Sequence, residues 1–181
     1  MKLNMLTVAV AALAFSTFAQ ASNTGVIRFV GSVSDVTCDL IPVDEDGNAS
    51  NDIQLGTIAA ADLTDASPSA TAVTFSLVPS PTSPIACRDG TKVVEVGFSG
   101  DYNTVGLANT SGTAGNTAVK LEGTTASGWH AYTVTGQNAE LQAETNTGAL
   151  KFRAAMHKNQ LGVPVSQGTI ITQATYSVSY K

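Results

Sequence analysis

Chemistry needs nucleophiles, bases or metal ligands within reach of one another, and this chain holds few of them. It has two histidines, His130 and His157, two cysteines, Cys38 and Cys87, and one tryptophan, Trp129. Neither histidine has a nucleophile or carboxylate at motif spacing, and no G-x-S-x-G occurs. The expectation is a protein that is not an enzyme and carries no cofactor. Asp44-x-Asp46-x-Asn48 supplies the first, third and fifth positions of a calcium loop. The sixth position is Ala49 where Gly is needed and the twelfth is Leu55 where Glu is needed, so a solvated turn without metal is expected. Trp129 beside His130 has the chemistry of a carbohydrate surface, although the core or rim of a strand is the expected place for both. Asn48-Ala49-Ser50 and Asn109-Thr110-Ser111 are formal glycosylation sequons.

The cysteines take their meaning from the first residues. Lys2 gives a positive start, residues 6–18 form an apolar run, and Ala19-Gln20-Ala21 places small residues around a cleavage point. About thirteen apolar residues make about 20 Å of helix, short of a bilayer core of about 30 Å. Residues 1–21 therefore read as a signal peptide, with no membrane insertion expected elsewhere. Export puts Cys38 and Cys87 in an oxidising compartment, where two cysteines allow one intrachain pairing. No His lies within forty residues of either and no CxxC occurs, which disfavours a metal site.

The remaining 160 residues suffice for one domain. The formal net charge is −5, and the basic residues are scattered. No basic stripe is present to release counterions, so nucleic acid is not an expected partner. Apolar residues alternate in Ile27-Phe29-Gly31-Val33, Val73-Phe75-Leu77, Val94-Val96-Phe98, Val119-Leu121, Leu150-Phe152-Ala154-Met156 and Ala174-Tyr176-Val178-Tyr180. Turn formers separate them: Asp46-Gly47-Asn48, residues 79–84, Asp89-Gly90, Ser99-Gly100-Asp101, residues 111–116, Ser127-Gly128 and residues 146–148. Helix signals are confined to short stretches at 59–65 and 138–144. The pattern predicts an all-β sandwich.

The two ends have a special relation. An alternating strand stands before the first cysteine, and the final alternating strand runs almost to the last residue. A bare terminal edge next to a core is an aggregation hazard, and a detached strand at the other end suits strand addition between molecules.

These features together resemble one family. The signal peptide is followed by Gly25-Val26-Ile27-Arg28-Phe29-Val30-Gly31-Ser32-Val33, then Cys38, Gln54-Leu55-Gly56-Thr57-Ile58, Cys87 and Phe152-Arg153-Ala154-Ala155-Met156. Gln167-Gly168-Thr169 and the ending Ala174-Thr175-Tyr176-Ser177-Val178-Ser179-Tyr180-Lys181 complete the series. In order and position they resemble the chaperone–usher pilins, the subunits of type 1 or P-like fimbriae. The resemblance implies an incomplete immunoglobulin-like β-sandwich lacking its last strand, completed by donor-strand exchange. It divides the chain into a signal peptide (1–21), a donor-strand extension (22–33) and a pilin domain (34–181).

The same resemblance implies that Ile27, Phe29, Gly31 and Val33 enter a neighbouring subunit's groove. Ala174, Tyr176, Val178 and Tyr180 would form the strand that lines the groove and pairs with a periplasmic chaperone. An outer-membrane usher would exchange one strand for the other, and the product would be a cell-surface fimbrium supporting adhesion. A major shaft subunit is the leading expectation. The alternatives are a minor or adaptor subunit and a free-standing secreted binding module. Charge is uneven as well: eight acids and no base lie between Arg28 and Arg88, while Lys151, Arg153, Lys158 and Lys181 follow Glu144 with no acid. Such zones suit facing surfaces on successive subunits, or simply solvated loops.

Overall fold

The structure is a computed structural model that describes residues 38–63, 72–88, 90 and 93–180. Its strands are β1 (Leu40–Val43), β2 (Val73–Pro79), β3 (Val94–Gly100), β4 (Leu107–Ala108), β5 (Thr117–Thr125), β6 (Gly128–Tyr132), β7 (Gln137–Leu141), β8 (Leu150–Lys158) and β9 (Ala174–Tyr180). The period-two runs at 73–77, 94–98, 119–121, 150–156 and 174–180 all lie in strands, because alternation gives each one an apolar and a polar face. The larger sheet has the order β1-β2-β8-β5-β4, with β6 also pairing β5; the smaller has the order β7-β3-β9.

Two expectations need correction. The stretch at 138–144 is not a helix but contains most of β7. Gln, Ala, Glu and Leu favour helix locally, but Ala139 and Leu141 are buried while Asn138 and Glu140 are exposed, a strand pattern that pairing with β3 enforces. The turn expected at Ser99-Gly100-Asp101 begins two residues late, since β3 continues through Ser99 to Gly100 opposite Ala174. The other short stretch makes one hydrogen-bonded turn, from Asp62 N–H to the Ala59 carbonyl, before the described residues break off.

The inner faces meet in an aromatic and aliphatic core. Phe98 packs edge-on against Tyr132 and Phe152, with ring centroids 4.9 and 5.4 Å apart, and Phe75 stacks on Phe152 at 5.2 Å. Tyr132 is fully buried, and its hydroxyl donates to the Val96 carbonyl at 3.1 Å, linking the sheets. Burial, with a smaller contribution from Tyr102, pushes the Tyr132 hydroxyl's pKa far above its ordinary value. This is an all-β, immunoglobulin-like sandwich with an incomplete edge: among the described residues, β9 pairs with β3 and with nothing on its other side.

Candidate functional site: the open edge between β1 and β9

β9 supplies one wall of the site. The Phe98 carbonyl accepts from Gly136 N–H and Gly100 N–H donates to Thr135 Oγ1, so these alternate residues of β3 direct their main-chain groups toward β7. Strand alternation then assigns Glu95, Gly97 and Ser99 to β9, where they face Ser179, Ser177 and Thr175. The main-chain groups of Tyr176, Val178 and Tyr180 consequently point to the open side. Their side chains are half-buried and pack against the core. One set of residues thus offers both an unpaired ladder and an apolar lining. Ala174 shares their phase but is exposed.

The other wall is β1, and it is nearly closed. Ser80 N–H donates to the Asp39 carbonyl at 2.7 Å, so Asp39 faces β2 and the next residue, Leu40, faces outward. The Leu40 carbonyl accepts the Tyr176 hydroxyl at 3.0 Å. Pro42 has no N–H to offer, and its carbonyl accepts Ser50 N–H at 3.0 Å. Main-chain bonding capacity at the open side therefore lies chiefly on β9.

The Cys38–Cys87 disulfide, with Cα atoms 5.8 Å apart, anchors the start of β1 to a 3-10 turn at Ile85–Arg88. Beside it is a small cavity lined by Cys87, Gly90, Val94, Ala143, Gly148, Leu150 and Tyr180. The buried Tyr180 hydroxyl has no hydrogen-bond partner among the described residues. Burial, with a smaller contribution from Asp39, pushes its pKa up to about 12. An unpaired buried hydroxyl costs about 1–3 kcal/mol, so an acceptor delivered here by another chain would be favoured.

Sequence reasoning missed what positions β9. The connection 159–173 is stapled to the loop at 109–116 by two asparagines. Asn109 Nδ2 donates to the Ala114 and Thr169 carbonyls at 2.9 and 3.1 Å, and its Oδ1 accepts from Gly112 and Ile171 N–H. Asn116 Nδ2 donates to the Gln160 and Val163 carbonyls, and its Oδ1 accepts from Gln160 N–H. The sequon at Asn109 therefore contains an amide committed to the fold; its turn-forming neighbours Gly112 and Asn116 were the available signal.

The remaining candidates are dispersed. Ile27, Phe29, Gly31 and Val33 lie outside the described residues. Asp44 Oδ1 accepts Asn48 N–H at 2.8 Å, closing its own turn. His130 Nε2 shares a hydrogen bond with Gln137 Nε2 at 2.9 Å, and buried His157 shares one with the Lys158 carbonyl at 2.7 Å. His130 packs on Tyr132 while Trp129 packs on Arg153, so the adjacent pair faces opposite sides of β6 and makes no joint surface. No helix among the described residues is long and apolar enough to cross a membrane.

Among the described residues, the geometry defines a class: a sandwich with one edge left unfilled between two sheets. No family model matches the chain. The K99 fimbrial protein of Escherichia coli is 35% identical over 120 residues, 66% of this chain and 60% of that protein, so the match spans less than two thirds of that relative. The F107 fimbrial protein of Escherichia coli is 27% identical over 179 residues, 94% of each chain. The crystal structure of the P pilus rod subunit PapA matches with a TM-score of 0.55 at 18% identity, covering 87% of this chain and all of that one. A chaperone–usher pilus solved to explain rod uncoiling matches at 0.54 and 18% identity, covering 88% and 97%. The chain is thus similar in sequence to fimbrial proteins and in fold to pilus subunits.

Proposed function

We propose that this subunit polymerises by donor-strand exchange, residues 22–33 of one copy filling the open side of the next. The observation that carries the reading is the β9 edge, where Tyr176, Val178 and Tyr180 present main-chain groups outward and apolar side chains inward. An alternating strand bearing Ile27, Phe29 and Val33 complements it, and Gly31 suits a place where backbone approaches backbone. Burying those three side chains contributes about 5–8 kcal/mol before main-chain bonds are counted. Residues 1–21 direct export to the periplasm, where a chaperone pairs with β9 until an outer-membrane usher exchanges it for the next subunit. The product is a surface fimbrium that supports adhesion, and likeness to a rod subunit and to fimbrial proteins favours the major shaft role.

Deleting residues 22–33 tests this. The shortened subunit should still be completed by a chaperone or by an added peptide of residues 22–33, and it should form no polymer. Normal fibres from the deletion would overturn the donor-strand assignment.

A further inference from the structure

Trp129 on β6 is 41% exposed, and the Arg153 guanidinium lies 4.4 Å from its ring centroid. Arg153 Nε donates to Glu122 Oε2 at 2.5 Å, and Lys120 Nζ lies 3.2 Å from Glu122 Oε1. Two cations therefore share one carboxylate, and Glu122 is only 6% exposed. These side chains occupy the outer face of the larger sheet, since Val119, Leu121 and Phe152 alternate with them and enter the core. The result is a plate with an exposed aromatic ring and one surplus positive charge, on a chain of formal net charge −5. Lys151 adds nothing to the surplus, because Glu144 pairs with it at 2.5 Å. Of the basic residues after Glu144, Lys151 is thus neutralised within the chain, and Arg153 belongs to the plate.

The opposite edge of the same sheet is acidic. Glu45, Asp46 and Asp52 follow β1 and are exposed, with no Lys or Arg paired to them among the described residues. Arg153 is on β8 and Lys120 on β5, so β2 stands between β1 and the first, and β2 and β8 between β1 and the second. Two and three strand spacings are about 10 and 14 Å, beyond the reach of a direct ion pair. Among the described residues no ion pair joins the two features within one copy, whereas contact between copies can bring them together.

We infer that the acidic segment 44–52 of one copy docks on the Trp129–Arg153–Lys120 plate of another, as a lateral contact separate from the strand-exchange groove. The contact joins unlike surfaces, so it is heterologous and propagates along an open assembly without closing into a dimer. It rests on the reading that the chain polymerises.

Intact fibres treated with a water-soluble carbodiimide, which joins a carboxylate to an amine in contact, test it. Lys120 should be found joined to Glu45 or Asp46 in fibres and not in isolated subunits. The Lys120–Glu122 link within one chain is the control that Lys120 reacts. Fibres of Glu45→Lys/Asp46→Lys should lose the intermolecular link and adopt, at low salt, the loosened form that wild type takes only at high salt. They should keep the gel ladder that collapses on boiling, which reports strand exchange independently. The inference is overturned if Lys120 reacts with Glu122 alone, or if the double variant packs and responds to salt as wild type does. Loss of the ladder in the variant would also overturn it, because the acids would then act in folding or strand exchange.

Discussion

The Tyr176 hydroxyl donates to the Leu40 carbonyl at 3.0 Å and so ties the last strand of the smaller sheet to the first strand of the larger across the open side. The bond occupies an acceptor on β1 that would otherwise be offered to an incoming strand. Tyr176→Phe keeps the ring in the core and removes this tie. The expected loss is about 1 kcal/mol, read as a lower urea midpoint with an unchanged slope. An unchanged midpoint would show that the tie contributes nothing.

Reduction, or Cys38→Ser with Cys87→Ser, should free the start of β1. A closed loop of 49 residues contributes about 4 kcal/mol on the chain-entropy account, a large part of the stability of one small domain. Urea unfolding with and without reductant measures it. A shift under 1 kcal/mol would mean that the larger sheet holds β1 without help (about a quarter of the expected effect).

Glu122 gives the fold an acid-sensitive element. Burial by itself would raise its carboxyl, but hydrogen bonds and charge from Arg153 and Lys120 outweigh burial and hold it below 4.5. A carboxylate depressed in the fold contributes stability that is present above its unfolded pKa and lost as pH falls through the folded value. Wild type should therefore lose stability progressively below about pH 4.5, the unfolded value. Glu122→Gln should be less stable than wild type near neutral pH, and the gap should shrink on acidification. A gap independent of pH would contradict the assignment. Glu144 is lowered beside Lys151 too, but its side chain is 39% exposed, so solvent screening keeps its share small.

Asn109→Ala should cost about 2 kcal/mol, because it leaves the Ala114 and Thr169 carbonyls and the Gly112 and Ile171 amides without their side-chain partner. Amide exchange should quicken in residues 159–173, ahead of β9. Exchange confined to 109–116 would show that the staple does not hold the connection.

The sequence is most legible where side chains report burial on every second residue. The walls of β2, β3, β5, β8 and β9 follow that rule, and Tyr176, Val178 and Tyr180 already marked the apolar side of the last strand. β1 is four residues with a proline and no alternation, so the second wall of the groove was not visible. β6 and β7 are five residues each, too short for local preference to overcome pairing. The asparagine staples join positions up to 62 residues apart through side-chain-to-backbone bonds, which leave no periodic trace. The charge zones were visible as runs, but which charges were already paired depended on the Glu122–Arg153 register across β5 and β8.

Amide hydrogen exchange at β9, with and without a peptide of residues 22–33, tests the central claim most directly. If an incoming strand adds to the open edge, the amides of Tyr176, Val178 and Tyr180 become protected on binding, while those of Thr175, Ser177 and Ser179, already directed at β3, change little. Binding that leaves Tyr176, Val178 and Tyr180 exchanging at the free rate would contradict it.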